Sequence, residues 1–360
     1  MPRVKSRLAG LLAIAVLILA GIGYTAWWWQ VARLTKTQFA VWVADRNAHG
    51  ADIGYRDLDV GGFPLSLTVT LTDFHGQDAG GPVWHGSTLI ARTRPWAVTH
   101  ITFRTAGDQQ VVWPGQPAIA IARAEGSMDW TFGRGRVAAA QVTLHDLKTS
   151  LDPAIPAAAA ATAAAAAAPP PLMVTIDQLD LGFALPPQPP QSHSDTGVTV
   201  NAAMTSLHLP AETPSVLAPE IQALSVSGRV MGVVPDPVAP SVRHWSEDGG
   251  TIELDQARLV WGPLTASLTG TLALDHDLQP QAALTARISG FNETVDALVT
   301  SGRIKAKDAG LVKMMLGLLA RRPDPNGPPV VEAPVTVQDS NLSVGPLKLG
   351  RLPPLRWREP

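Results

Sequence analysis

The residues able to do chemistry in this chain are few and scattered. Its nine histidines include no His-Glu-x-x-His and no pair four apart that would grip a metal from one face of a helix. His75 and His85 flank a glycine-rich loop, where two imidazoles could meet a metal ion, but loop histidines are ordinarily solvated. Residues 133–138 read Gly-Arg-Gly-Arg-Val-Ala and fit a Gly-x-Gly-x-x-Ala pattern. They lack the following helix and the acidic residue about 20 positions on that dinucleotide binding needs, so they read as a turn between strands. No Gly-x-Ser-x-Gly elbow is present; Ser227 is preceded by Ala223, Leu224 and Ser225. Asp73, Asp78, Asp275 and Asp277 fall in turns, where aspartate serves the backbone. Asn292-Glu293-Thr294 fits a glycosylation acceptor but reads as the start of a helix. There is no cysteine, which excludes disulfides, thiolate zinc, iron–sulfur clusters and a cysteine nucleophile. The sequence therefore offers no catalytic residue, no metal ligand set and no cofactor site.

The elements that would have to position any such group are more legible. Residues 65–72 place Leu65, Leu67, Val69 and Leu71 at odd positions and Ser66, Thr68, Thr70 and Thr72 between them. Side chains alternate across a strand, so this is a strand with one oily face and one wet face. Residues 61–64, Gly61, Gly62, Phe63 and Pro64, form the turn before it. Further period-two runs follow at 88–91, 98–103, 110–113, 119–122, 127–132 and 137–144. They resume at 174–176, 198–200, 224–227, 251–254, 264–275, 282–288, 335–338 and 342–344. Gly270 in mid-strand predicts a bulge or bend, and Asp275-His276-Asp277 a turn. The tract 152–171 is alanine and proline. It carries nothing large enough to build a core, so it reads as a linker or loop dividing a first β-rich lobe (51–151) from a second (172–360).

Helices are expected in two places. Arg3, Lys5 and Arg7 precede an uncharged run over 8–30 closed by Trp27, Trp28 and Trp29. About 20 apolar residues suffice to cross ~30 Å of hydrocarbon, and tryptophan favours the membrane interface. The basic flank predicts a cytoplasmic tail at 1–7, a retained single-pass anchor, and the bulk of the chain in the bacterial periplasm. A helix continues over 31–50, with Phe39, Trp42 and Val43 packing on the first sheet. The second place is a helical hairpin over 292–321. Asn292 caps its first helix, and Leu311, Met314, Met315, Leu318 and Leu319 of the second form a stripe that covers the core. Only 16% of residues are charged and the net charge is −2, which argues against a nucleic-acid partner. The fold class is thus mainly β: long antiparallel sheets, curved or sandwiched, in two lobes, with an N-terminal transmembrane helix.

These segments occur in a recognisable order. Val60-Gly61-Gly62-Phe63-Pro64 follows a single membrane helix. Leu259-Val260-Trp261-Gly262, Gly270-Thr271-Leu272-Ala273-Leu274-Asp275, Ser343-Val344-Gly345-Pro346-Leu347-Lys348-Leu349-Gly350 and Leu352-Pro353-Pro354-Leu355 come after it. The order resembles a proteobacterial domain-of-unknown-function family, twenty-one twenty-five, of membrane-anchored envelope proteins. The Ala/Pro tract and Ser340-Asn341, in place of a glycine turn, depart from it. The resemblance implies an anchored envelope protein and carries no activity. In layout the chain is also similar to AsmA-like and TamB-like bridge proteins, which are associated with phospholipid traffic. The expectation is a non-enzymatic protein whose oily strand face, at Leu65, Leu67, Val69 and Leu71, meets lipid or another apolar ligand. The alternatives are a scaffold binding other envelope proteins and a periplasmic hydrolase with dispersed residues.

Overall fold

The structure, a computed structural model, describes residues 3–77, 81–113, 118–131, 136–151, 172–210, 215–235, 239–322, 327–345, 347–355 and 357. Among the described residues seventeen strands form a single, uncurled antiparallel sheet, and strand makes up about half of those residues. The pairing is a meander. β1 (Asp52–Gly54) and β2 (Asp57–Gly61) both lie on β3 (Leu67–Gln77). From there β4 (Val83–Arg94), β5 (Ala97–Val112), β6 (Ile119–Thr131), β7 (Arg136–Leu151), β8 (Leu172–Ala184) and β9 (Thr196–His208) follow in turn. β10 (Glu220–Met231), β11 (Ile252–Trp261), β12 (Leu264–Leu274) and β13 (Pro280–Ser289) continue it. The short β14 (Ala320–Arg321) and then β15 (Val330–Gln338), β16 (Asn341–Val344) and β17 (Leu347–Arg351) end it. Short turns join some neighbours, such as β4 to β5 and β11 to β12, which antiparallel pairing permits and parallel pairing does not.

This arrangement corrects the expectation of curved or sandwiched sheets in two lobes. β7 pairs with β8 over its length, from Ala139 opposite Ala184 to Leu151 opposite Leu172. The sheet therefore runs straight through the position of the Ala/Pro tract, whose residues 152–171 lie outside the described set. The Gly-Arg-Gly-Arg turn lies largely outside it as well, at 132–135, and Asp78 likewise. All strands among the described residues belong to the one sheet, so no second sheet packs on it.

Local features follow the sequence closely. At Gly270, φ is 141° and the pairing of β11 with β12 shifts between Leu254 and Ala257, a bulge that only glycine fits easily. Asp275 closes the β12–β13 turn by accepting the Asp277 and Gln279 N–H groups at 2.9 and 2.8 Å. The β15–β16 turn is made without glycine: Asp339 and Ser340 adopt φ of 50° and 62°, a conformation open to aspartate and costlier for serine.

Among the described residues four helices accompany the sheet. α1 runs unbroken from Arg3 to Ala48, about 70 Å at 1.5 Å per residue, so the 8–30 run and the 31–50 segment are one rod. Among the described residues no helix is long and apolar enough to cross a membrane; the side chains of residues 3–15, which include the first part of the apolar run, lie outside that set. α2 (Ala239–Glu247) buries Val242 and Trp245. α3 (Phe291–Thr300) and α4 (Ala306–Leu319) form the hairpin. Two details of the hairpin differ from expectation. α3 starts one turn position earlier, capped by Gly290 at φ 71°, with Asn292 inside the helix and Thr294 Oγ1 donating to the Gly290 carbonyl at 2.7 Å. The α4 stripe Leu311, Met314, Met315, Leu318 and Leu319 faces outward, Leu318 being 79% exposed. The inward side is Ala309, Val312, Lys313 and Leu316. Lys313 reaches Asp296 of α3 at 2.6 Å. α4 is apolar on more than one side, and that cross-hairpin ion pair accompanies the turn of its larger stripe away from the sheet.

Candidate functional site

In an antiparallel sheet, residues directly opposite each other point to the same face. The register therefore allows each face to be followed from strand to strand. One file begins Val60, Val69, Ala91, Phe103, Gly126, Val142, Leu181. It goes on through Ala202, Val226, Ala257, Leu268, Ala286 and Ala333. Every position is apolar or glycine. At about 4.8 Å per strand the file is on the order of 50 Å long. A second file beside it includes Leu71, Leu89, Leu144, Leu179, Met204, Leu224, Leu259 and Ile288. On the opposite face the corresponding file reads Thr70, Ile90, Arg104, Glu125, Thr143, Asp180, Ala203, Ser225, Arg258, Ser267, Arg287 and Glu332. There Thr143 donates to Asp180 at 2.7 Å, and Arg287 pairs with Glu332 at 3.4 Å. The sheet is oily on one side and wet on the other across its whole width.

The oily side is covered unevenly. At the first strands α1 lies on it. Trp28 and Ala32 pack with Leu67, while Phe39 joins Leu58, Leu71 and Phe74. The Gly61–Pro64 turn is fastened to the same helix. Trp28 Nε1 donates to the Ser66 carbonyl at 3.2 Å, Tyr24 donates to the Pro64 carbonyl, and the Trp28 and Phe63 rings meet edge to face at 5.4 Å. At the far strands α3 and α4 sit against β12 and β15, where Ala286, Val331 and Val335 are buried. Between these ends the oily face is open in part: Ile121, Ala124, Leu147, Val174 and Val198 of the middle strands are buried, and other positions are not. Leu181 is 42% and Leu224 40% exposed, and Phe183, Val200 and Val226 are also exposed. Leu224 and Val226 are more open than Ser225 and Ser227 between them. Among the described residues no large side chain is fully buried.

The residues singled out as an apolar ligand face thus divide. Leu67 and Leu71 are packed under α1, Val69 is half-buried, and Leu65 stands exposed in the turn. The larger open surface lies on β8–β11. Its alternation is plain in the sequence, but which strands lack a cover is settled only by where the helices dock.

Polar groups gather in two places. His75 and His85 stand opposite each other on β3 and β4, ring centroids 6.0 Å apart, with His75 Nε2 3.4 Å from Asp52. They edge a shallow cavity of about 480 Å³. Among the described residues no three metal-ligating side chains converge there or elsewhere. The second place is a cavity of about 600 Å³ between the β8–β9 loop and α2, lined in part by Ser192, His193, Val233, His244 and Trp245. Its loop is tied by Asp195, which accepts the Gln191 and Ser192 N–H groups at 2.8 and 2.9 Å. Those backbone donors hold the Asp195 carboxyl below its ordinary range. Asp255 of β11 grips Arg229 of β10 through a fork of hydrogen bonds and raises its already high pKa.

Comparison with known proteins gives one match. Residues 28–353 fit the model of a family described as "Uncharacterized protein conserved in bacteria (DUF2125)". No curated protein and no solved structure matches the chain. The likeness in layout to AsmA-like and TamB-like proteins finds no support among these comparisons.

Proposed function

The chain belongs to the bacterial DUF2125 family, and from that premise we propose that it is a non-enzymatic envelope protein that carries an acyl-chain lipid on the open oily face of its sheet. The observation that carries this reading is the continuous apolar file left uncovered over β8–β11, with Leu181, Phe183, Val200, Leu224 and Val226 exposed. Contiguous exposed apolar surface of this extent is unusual on a soluble monomer and marks a surface that something covers. An acyl chain fits the need: it is unbranched, has no polar group to satisfy and can lie across strands of differing side-chain size. Laid on an open face it buries one side, so each CH₂ contributes roughly 0.4 kcal/mol, half of the ~0.8 kcal/mol for full burial. In this reading the 8–30 run anchors the protein in the inner membrane, Arg3, Lys5 and Arg7 keep the tail cytoplasmic, and the sheet lies in the periplasm.

The test is cross-linking of the full chain in cells fed a photoreactive acyl lipid, followed by peptide mapping. Adducts on β8–β11 are expected. Adducts confined to α1 would overturn the reading.

A second reading rests on a separate feature. α4 presents Leu311, Met314, Met315, Leu318 and Leu319 to solvent, and methionine-rich apolar helix faces suit adaptable protein partners. In that case the protein is a scaffold. Cross-linking from Met315 to another envelope protein, lost in Met315→Asp with lipid adducts unchanged, would favour it.

A further inference from the structure

The first strands carry apolar side chains that belong neither to the open face nor to the core. Phe63 and Leu65 in the β2–β3 turn and Trp96 at the tip of the β4–β5 hairpin are exposed, Leu65 by 67% and Trp96 by 64%. Trp27 and Trp29 on α1 are exposed as well. All lie at one end of the strands. α1 runs in the same direction as β3: Trp28 meets Leu67 at the start of the strand, and Asn47 bonds Ile53, which pairs with Gly76 near its end. The N-terminal part of α1 therefore projects beyond the Leu67 end, with Val16, Leu17, Ile18, Leu19 and Ile22 exposed. The turn sits level with the three tryptophans, since Phe63 meets Trp28 edge to face and lies 6.2 Å from Tyr24. The hairpin tip reaches as far. Thr93 pairs with Leu67, and Trp96 is three residues further on, about 10 Å along the strand direction.

We infer that these two tips form a second foot on the bilayer, seated at the interface beside the helix. The inference rests on the anchoring of α1 in the membrane. The residue types suit that occupant. Tryptophan and phenylalanine are the side chains that settle at the boundary of hydrocarbon and headgroups. Arg94, exposed next to the Trp96 tip, offers a cation to lipid phosphates. A helix alone leaves the sheet free to swivel, and a second contact one or two strands away fixes its orientation. The foot is limited to β2–β5, because a twist of about 20° per strand turns later loops away from the plane. With the sheet held this way the strands stand on the membrane and the apolar file runs beside it, so lipid would reach the open face from the leaflet at the strand ends.

The chain has no cysteine, so single labels can be placed at will. The experiment uses the full chain in phosphatidylethanolamine–phosphatidylglycerol vesicles, an environment-sensitive fluorophore on one introduced cysteine, and spin-labelled quencher lipids. Leu65→Cys and Trp96→Cys are expected to emit to the blue of Gln110→Cys, which sits at the opposite strand end, and to be quenched by lipid labelled near the headgroup. Ile18→Cys should be quenched by lipid labelled deep in the chain. Quenching at position 18 with positions 65 and 96 behaving like 110 would overturn the second foot and leave the anchor standing. No quenching at 18 would overturn the anchor and this inference with it. A blue shift at 65 and 96 without lipid quenching would mean that protein covers the tips, and would also overturn it. Leu65→Cys changes an exposed turn position and keeps the test available should Trp96→Cys fail to fold.

Discussion

Strands β2–β3 and strands β8–β11 are written in the same alternating code, yet the first pair is roofed by α1 and the second set keeps exposed apolar side chains. Leu71 and Leu224 illustrate the contrast: both occupy the same oily file, one 8% and the other 40% exposed. Alternation makes a strand two-faced; it does not say what the oily face will meet. That depends on how many helices the chain spends and where they dock, and among the described residues four helices serve seventeen strands. The roofed end has what a core needs, namely interlocking side chains such as Leu58, Leu71, Phe74 and Phe39. The centre has the same residue types with less covering them, and so leaves apolar side chains such as Leu181 and Leu224 in solvent.

The contrast is broken most directly by mutation in the roofed region. Leu58 is 3% exposed, and Leu58→Ala should cost about 2–5 kcal/mol, the usual range for emptying a leucine site. Leu181→Ala in the centre should cost under about 1.5 kcal/mol, because much of that side chain is already in solvent. Denaturant midpoints compared at constant m-value would show it. Equal losses at the two sites would mean that the centre is packed after all.

Placing a charge sharpens the same comparison. Leu71→Asp buries a carboxylate beneath α1 and should prevent stable folding. Val226→Asp should leave the melting transition within a few degrees while removing lipid cross-links to β8–β11. A folded Val226→Asp protein with undiminished cross-links would separate the open face from lipid. A smaller effect is expected at the helix–turn fastening. Trp28→Phe keeps the ring but removes the hydrogen bond to Ser66, a change of about 1 kcal/mol, read as a lower midpoint and faster proteolysis after the Gly61–Pro64 turn.

Much of this was legible in the chain. The oily-and-wet code of β3, the bend at Gly270 and the turn at Asp275 are local matters, set by alternation and by the conformational needs of one or two residues. Three things were not legible, each for a physical reason. The Ala/Pro tract reads as a boundary because it cannot build a core, but pairing between β7 and β8 depends on complementary strand edges rather than on what joins them. The direction in which α4 faces is set by tertiary packing, accompanied by the Lys313–Asp296 pair across the hairpin, and is invisible in the periodicity of α4 alone. The run 65–72 predicts an open face that includes Leu67 and Leu71, which α1 covers; nothing in that run distinguishes it from 224–227.

The smallest effect expected concerns the β8–β9 loop at the edge of the bare region. Asp195 accepts two backbone N–H groups from Gln191 and Ser192 and has its pKa lowered by them. A carboxyl whose folded pKa is depressed stabilises the fold above its ordinary unfolded pKa, and that contribution is lost as pH falls through the folded value. At neutral pH the loop is therefore fully tied, and it should loosen only at acidities below the ordinary carboxylate range. Amide chemical shifts of Gln191 and Ser192 should move together through that low window and be flat in Asp195→Asn. The carboxylate ties its own loop, far along the sheet from β2 and β3, so its loosening should leave the Leu58, Leu71 and Phe74 cluster untouched. A Phe74 ring signal titrating in step with the loop would show that the roofed and bare regions unfold as one unit rather than as two differently supported stretches of a single sheet.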